Sequence, residues 1–523
     1  MRKYSKSLIM VATFFCGIGL MTSCCNDTDD SQEQSQKQEE GIEQQEQTLV
    51  SVLTAEAYTP EEFIEHLGSH DLAHRIDDIY PQAKPIAMSY AKIKMQSHLP
   101  TLDKIFAQEV GTETDGSRRW RFESYTFSYL SHTVDGREQV MSGRVTFPNN
   151  TASDTPHKVK TLSLHSHQAL VDPEWAPSES LMFMSMRSLW NSAVIEPDFQ
   201  CWGINFGREI DSGCSPVTQA QQMADCVMAA LEIMRQHGVT LADDGHSTLW
   251  GSSQTAVVPI VFTKWYETEA PEWFRQAVRL QSVFTGEGPM DNSAFYEHIC
   301  SHAEILQYNF PIIISYPSAF SPEQLGGYEG RDFVNNWFHE TQITLDGKDY
   351  SLYEACAKYL ITDALFYDIT GSKEEGLSLR LDKILPPDIL TPDCCLDKNS
   401  PKVQALLKTF QTHCDLSGWH PQTDIYFAMY SKDLMLPYEQ TKAAFQRLSE
   451  QSKNHNLHWI EIPDQGGSIA AQVGDETNHY TTAFLMSLLM SNVEEPKDMV
   501  DIYVAPSYSS SAAMLLSSST SKQ

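Results

Sequence analysis

At 523 residues, 41% hydrophobic and 10% aromatic, the chain can bury a large core and does not need disulfides to fold. Lys and Arg number 37 against 69 Asp and Glu, a formal charge of −32 that repels nucleic-acid phosphates and anionic lipid head groups. That balance argues against nucleic acid as a partner, while the length allows either several domains or one α/β domain with a large insertion.

Residues 1–23 have the layout of an export signal: Arg2, Lys3 and Lys6, an apolar run from Leu8 to Leu20, then Met21-Thr22-Ser23-Cys24. The run is too short to span a bilayer comfortably. The segment resembles a bacterial lipoprotein signal, which implies that Cys24 is the first mature residue, carries the lipid, and anchors the chain to a membrane. Residues 24–50 are polar, with Asn26-Asp27-Thr28-Asp29-Asp30 followed by a Gln/Glu/Ser stretch, and read as a disordered tether. The acidic cluster after Cys24 resembles a surface-export signal of some Gram-negative bacteria. Outer-membrane attachment, facing the periplasm or the cell surface, is the expectation.

The folded domain is expected over residues 51–505. From Thr59 to about Glu109 the pattern is mixed helix and loop. Alternation over Arg119–Leu130 and Val140–Phe147, broken by a turn at Asp135-Gly136, predicts an antiparallel hairpin. Apolar runs at Lys158–Leu164, Ala193–Ile195, Thr248–Trp250, Val278–Phe284, Ile425–Met429 and Leu457–Ile462 then alternate with helical patterns such as Thr218–Gln236 and Tyr438–Ser452. A hairpin feeding βα units predicts an α/β fold with one mostly parallel sheet and helices on both faces. Between about residues 286 and 422 the rhythm gives way to helical segments around Asn292–His302, Arg331–Glu340, Leu352–Tyr367 and Lys402–Cys414, an inserted helical cap. Residues 506–523 are Ser-rich and are expected to be disordered.

Chemistry concentrates at Leu249-Trp250-Gly251-Ser252-Ser253-Gln254-Thr255, a short apolar strand running into Gly-x-Ser-x-Thr and then a helical pattern. That is the setting of a nucleophile elbow, where a sharp turn lifts a serine hydroxyl clear of the sheet. Gly251 leaves room for the turn, Thr255 stands where glycine is usual, and Pro259 removes one backbone donor early in the helix. Downstream, the strand Asp424–Met429 leads to Asp433, four residues before Pro437, and the strand Leu457–Ile462 leads to His479. Serine, acid and base in that order make Ser253 the candidate nucleophile, His479 its general base and Asp433 the residue that fixes the imidazole tautomer. Taken singly, Asp433 reads equally well as a cap for the helix near Pro437, and His479 as one histidine among 18. Two N–H groups must meet the developing oxyanion, and Gln254 and Gln168 are the candidate donors. His165 and His167 lack acidic or thiol neighbours at ligand spacing, so neither metal nor cofactor is predicted. Eight body cysteines without Cys-x-x-Cys spacing allow disulfides if the body lies outside the cytoplasm.

These segments together resemble the bacterial and fungal secretory lipases of the α/β-hydrolase superfamily. The likeness rests on Asp172 to Ser178 after His167, Val194 to Gly203, Gly251 to Gln254 and Asp433 to Pro437, and spans most of Arg119 to Leu489. It implies hydrolysis of carboxylic esters of lipids or related acyl groups through an acyl-enzyme, with the cap shaping the pocket. This chain departs from it in lacking the His-Gly of the oxyanion loop and in having Cys201 and Thr255 where glycine is usual. Those departures motivate a rival, a catalytically silent hydrolase fold that binds a partner; a serine peptidase on the same fold is a second rival.

Overall fold

The computed structural model describes residues 49–67, 83–110, 118–150, 156–166, 176–179, 181–301, 303–345, 347–360, 389–395, 397, 399–452, 455–462, 486–487, 489–491 and 493–504. All of them lie in the second of two units, Gln47–Gln523. Cys24, His167, Gln168 and His479 fall outside the described residues.

One sheet organises this unit. Its strands are β1 (Leu49–Tyr58), β2 (Arg121–His132), β3 (Glu138–Asn149), β4 (His157–Ser166), β5 (Ser192–Pro197), β6 (Val239–Ser252), β7 (Leu280–Gly286), β10 (Asp424–Tyr430) and β11 (Leu457–Ile462), in the order β1-β2-β3-β5-β4-β6-β7-β10-β11. The pairs β1–β2, β2–β3 and β3–β5 are antiparallel, and every pair from β5–β4 to β10–β11 is parallel. This is the α/β-hydrolase arrangement, with β1 added at the antiparallel edge. The short connection at Thr133–Gly136 closes the β2–β3 hairpin, with Gly136 at φ 83. β6 is far longer than the apolar run that marks it in sequence, because its first residues, Val239–Leu241, pair with His157–Val159 before a bulge resets the register at His246.

The helices are α1 (Pro60–His66), α2 (Ala83–Val110), α3 (Pro216–Gln236), α4 (Val258–Thr268), α5 (Glu272–Val278), α6 (Asn292–Ser301), α7 (Ala303–Ser318), α8 (Asn336–Glu340), α9 (Leu352–Ala357), α10 (Pro392–Cys395), α11 (Pro401–Thr412), α12 (Tyr438–Gln451) and α13 (Asp498–Val504). Strand alternation sends neighbouring side chains to opposite faces. Leu249, Val283 and Phe427 join a large core with residues of α3, α4 and α12, whereas Trp250, Phe284 and Ala428 pack with Met184, Met486, Met490 and Met499. A third cluster, containing Phe63, Phe106, Trp120, Phe122 and Leu189, joins α1 and α2 to the hairpin.

Two features of the stretch between β7 and β10 differ from the sequence reading. A hairpin of β8 (Gln342–Leu345) and β9 (Lys348–Ser351) interrupts the helices. α7 carries Pro311 and Pro317, residues that argue against a helix when read locally. Among the described residues no helix is long and apolar enough to cross a membrane.

Among the described cysteines, Cys201, Cys214, Cys226, Cys356 and Cys414 are free thiols, so the disulfides that the sequence allows do not form at these five. Cys201, Cys214, Cys226 and Cys356 are fully buried in the main core and act as small apolar side chains. Burial pushes the Cys414 thiol up to about 12 and raises Cys201, Cys214 and Cys226 as well, which keeps them protonated and unreactive.

Candidate active site

β6 ends at Ser252, and the chain turns through a short 3-10 segment, Ser253–Thr255, into α4. Ser253 sits at φ 57, in the left-handed region that a side chain with a Cβ avoids. Such a residue persists only where its surroundings enforce it. Here they do: a Cβ on Gly288 would lie 1.9 Å from Ser253 O, and one on Gly251 would lie 2.5 Å from Ser166 Oγ and 2.6 Å from Pro259 Cγ. Strand, turn and helix are thus pressed together closely enough to require glycine at both places.

Thr255 is accommodated by hydrogen bonding. It is buried, and its Oγ1 donates to Ser166 O at 2.6 Å and Ser252 O at 3.1 Å, tying the turn to the end of β4. Pro259 occupies the first turn of α4, where its missing N–H would have had no helical partner. Gln254 is 4% exposed; its side-chain amide donates to Asp211 Oδ2 at 2.7 Å and to the Tyr316 hydroxyl at 3.1 Å.

Ser252 pairs with Gly286 on β7, and Gly286 pairs with Ala428 on β10, so these three parallel strands end in one row. Ser253 follows the row on β6, and Asp433 follows it on the loop after β10. Asp433 is buried, and its Oδ1 accepts the Met435 N–H at 2.9 Å. It does not cap α12, whose N-cap is Pro437 with no side-chain bond. The segment after residue 485 also reaches this edge, since Ser487 Oγ stands 3.4 Å from Ser252 Oγ.

Glu287, directly after β7, went unremarked in the sequence. Its side chain is fully buried with both carboxylate oxygens shut off from solvent, its φ is 46, and its N–H donates to Ala428 O at 2.9 Å. A carboxylate between two glycines just past an apolar strand was the available signal, but nothing local distinguishes it from a surface loop.

A second group of acids lies under β5. Burial raises Glu196 to about 7 and Asp198 to about 6. Ser185 Oγ donates to Glu196 at 3.0 Å, and Ser142 Oγ to Asp198 at 2.5 Å. His165 Nε2 is 2.9 Å from Ser163 Oγ, and the ring stacks on Trp250. Arg187 secures the C-terminal segment. Its guanidinium lies 3.9 Å from the centre of the Trp250 ring and donates to Met490 O at 2.8 Å, Val493 O at 2.5 Å and Glu494 O at 2.7 Å.

No family model matches the chain, and no curated protein sequence matches it. Solved structures do. A Legionella pneumophila protein designated a candidate hydrolase superposes with a TM-score of 0.53 at 14% identity, covering 87% of this chain and 98% of its own. A mutant of the rice cell wall degrading esterase LipA from Xanthomonas oryzae gives 0.50 at 14% identity, covering 88% and 98%. Candida antarctica lipase A in its closed state gives 0.44 at 12%, covering 66% and 73%. At such identities the first two likenesses establish the fold, and the chemistry must come from the chain's own residues.

Proposed function

We propose that the chain is a serine hydrolase that cleaves carboxylic esters through an acyl-enzyme. The observation that carries this reading is Ser253, held at φ 57 between a parallel strand and its following helix. Ser253 Oγ attacks the ester carbonyl carbon while its proton passes to His479. The tetrahedral oxyanion is met by the Gln254 N–H, with Gln168 as second donor. On collapse, the bond to the alcohol oxygen breaks and the imidazolium returns its proton to that oxygen. Water, deprotonated by the same imidazole, then attacks the acyl carbon and releases the carboxylic acid and free Ser253. Asp433 holds the imidazole tautomer.

Two further observations support the assignment. Ser487, eight positions after His479 in the chain, touches Ser252 at the elbow. An esterase is among the proteins whose folds resemble this one. We further propose that lipid on Cys24 anchors the enzyme to the outer membrane.

Hydrolysis of p-nitrophenyl esters of graded acyl length, run beside Ser253→Ala, tests the chemistry, and a fluorophosphonate probe should label the wild type alone. Equal background rates in both proteins would leave a silent binding fold. Membrane fractionation of Cys24→Ser tests the anchor, with release into the soluble fraction expected and unchanged partitioning refuting it.

A further inference from the structure

Beneath the elbow lies a polar cluster that the proposed mechanism does not use. Asp211, on the connection from β5 to α3, is fully buried. It takes Gln254 Nε2 on one oxygen at 2.7 Å, and the Gly213 N–H at 3.0 Å and Cys201 Sγ at 3.7 Å around the other. Gln254 Nε2 also donates to the hydroxyl of Tyr316 on α7 at 3.1 Å. The amide's own Oε1 is buried and has no hydrogen-bond partner among the described residues.

That last detail decides how the cluster is read. A buried amide that leaves its carbonyl oxygen unsatisfied is worse for stability than an apolar side chain of the same shape. The bond to Asp211 offsets part of that cost, so stability alone does not account for glutamine at this position. What the glutamine does provide is direction. Two acceptors, from two different elements, hold its side chain, and through it the backbone of the residue whose N–H must face the oxyanion.

We infer that Asp211, Gln254 and Tyr316 form a positioning network that sets the oxyanion-donating N–H of Gln254 and makes its alignment depend on the seating of α7. The inference rests on the hydrolase reading of Ser253. Because α7 belongs to the stretch between β7 and β10, a movement of that stretch would reach the reacting carbonyl through one hydroxyl. Asn292 of α6 reinforces the same loop, donating to Gly213 O at 3.2 Å and Cys214 O at 3.1 Å.

The test uses the full chain with Gln254→Met, Tyr316→Phe and Asp211→Asn, an ester substrate, and an alkyl boronic acid whose adduct places an oxygen in the oxyanion position. Gln254→Met keeps the backbone N–H and side-chain volume but loses both bonds. It should lower kcat by about 10–100-fold, short of the loss expected on deleting a donor, with KM within about twofold. The boronate Ki should rise by the same factor, whatever fall in thermal midpoint follows from the donor that Asp211 loses. Tyr316→Phe should give a smaller loss of the same kind, and Asp211→Asn should add little in the Gln254→Met background. Folded variants with wild-type kcat and boronate Ki overturn the network, as does a loss confined to KM or to thermal stability. A wild type inert toward esters and unlabelled by fluorophosphonate sinks the hydrolase reading and the network together, whereas an active wild type with unaffected variants sinks only the network.

Discussion

The conformation of Ser253 gives a prediction about stability that is independent of the substrate. Ser253→Ala and Ser253→Gly both delete the hydroxyl, and they differ in whether a Cβ remains at φ 57. In the left-handed region a Cβ costs about 1–2 kcal/mol, because it crowds the following carbonyl. Glycine loses more backbone entropy on folding, which costs roughly 0.5–1 kcal/mol relative to alanine. The strain term exceeds the entropy term, so the glycine variant should be more stable than the alanine variant by roughly 0.5–1 kcal/mol. At an unstrained site the order reverses. Urea unfolding of the two inactive variants at matched m-values measures the difference directly. An alanine variant that equals or exceeds the glycine variant would show that the turn stores no strain, and would remove the physical basis for treating it as an elbow.

Gly288→Ala places a Cβ 1.9 Å from Ser253 O and should cost about 2 kcal/mol or more and lower ester turnover with it; a neutral substitution would mean that the turn can shift freely. Glu196 stays protonated in the fold up to about 7 but would ionise near 4.5 when unfolded, so its contribution weakens as pH rises through that window. Glu196→Gln should therefore gain up to about 3 kcal/mol over the wild type at pH 8 and almost nothing at pH 4, a gap that urea midpoints at the two pH values would reveal or deny. Arg187→Met strips the donors from Met490 O, Val493 O and Glu494 O; a loss of about 3 kcal/mol or more is expected, with faster amide exchange over residues 486–504. Unchanged exchange there would mean that the guanidinium does not hold the segment. Asp433→Asn should lower kcat by roughly 10³–10⁴ and Glu287→Gln by about tenfold at most; the reverse order would move the orienting acid from the loop after β10 to the end of β7.

Much of this architecture is legible along the chain. The hairpin Arg121–Asn149 announces itself by alternation around Asp135-Gly136, and β4, β5, β7 and β10 by short apolar runs, because a strand largely buried on both faces is mostly apolar, while β11 at the sheet edge is marked by the buried Leu457 and Ile460. Where that rule lapses, so does legibility. β1 is mostly exposed and the first half of β6 mixes apolar residues with Asp243, Asp244 and Gly245, so both are specified by the neighbour they pair with. α7 escapes notice because its two prolines contradict a local helix signal, and yet it delivers Tyr316 to Gln254.

For the candidate site, sequence alone supplies the residue types and their order, serine before acid before histidine, together with the strand that precedes each. It does so because an elbow needs particular neighbours within a few residues, and those leave a local pattern. Only the folded sheet decides that Ser252, Gly286 and Ala428 share a row, that Glu287 is buried beside them, and that Asp211 and Tyr316 meet on the amide of Gln254. Those contacts join residues 43 and 62 positions away from Gln254, where no periodicity or spacing rule operates and where only packing and the satisfaction of buried polar groups determine which side chains meet.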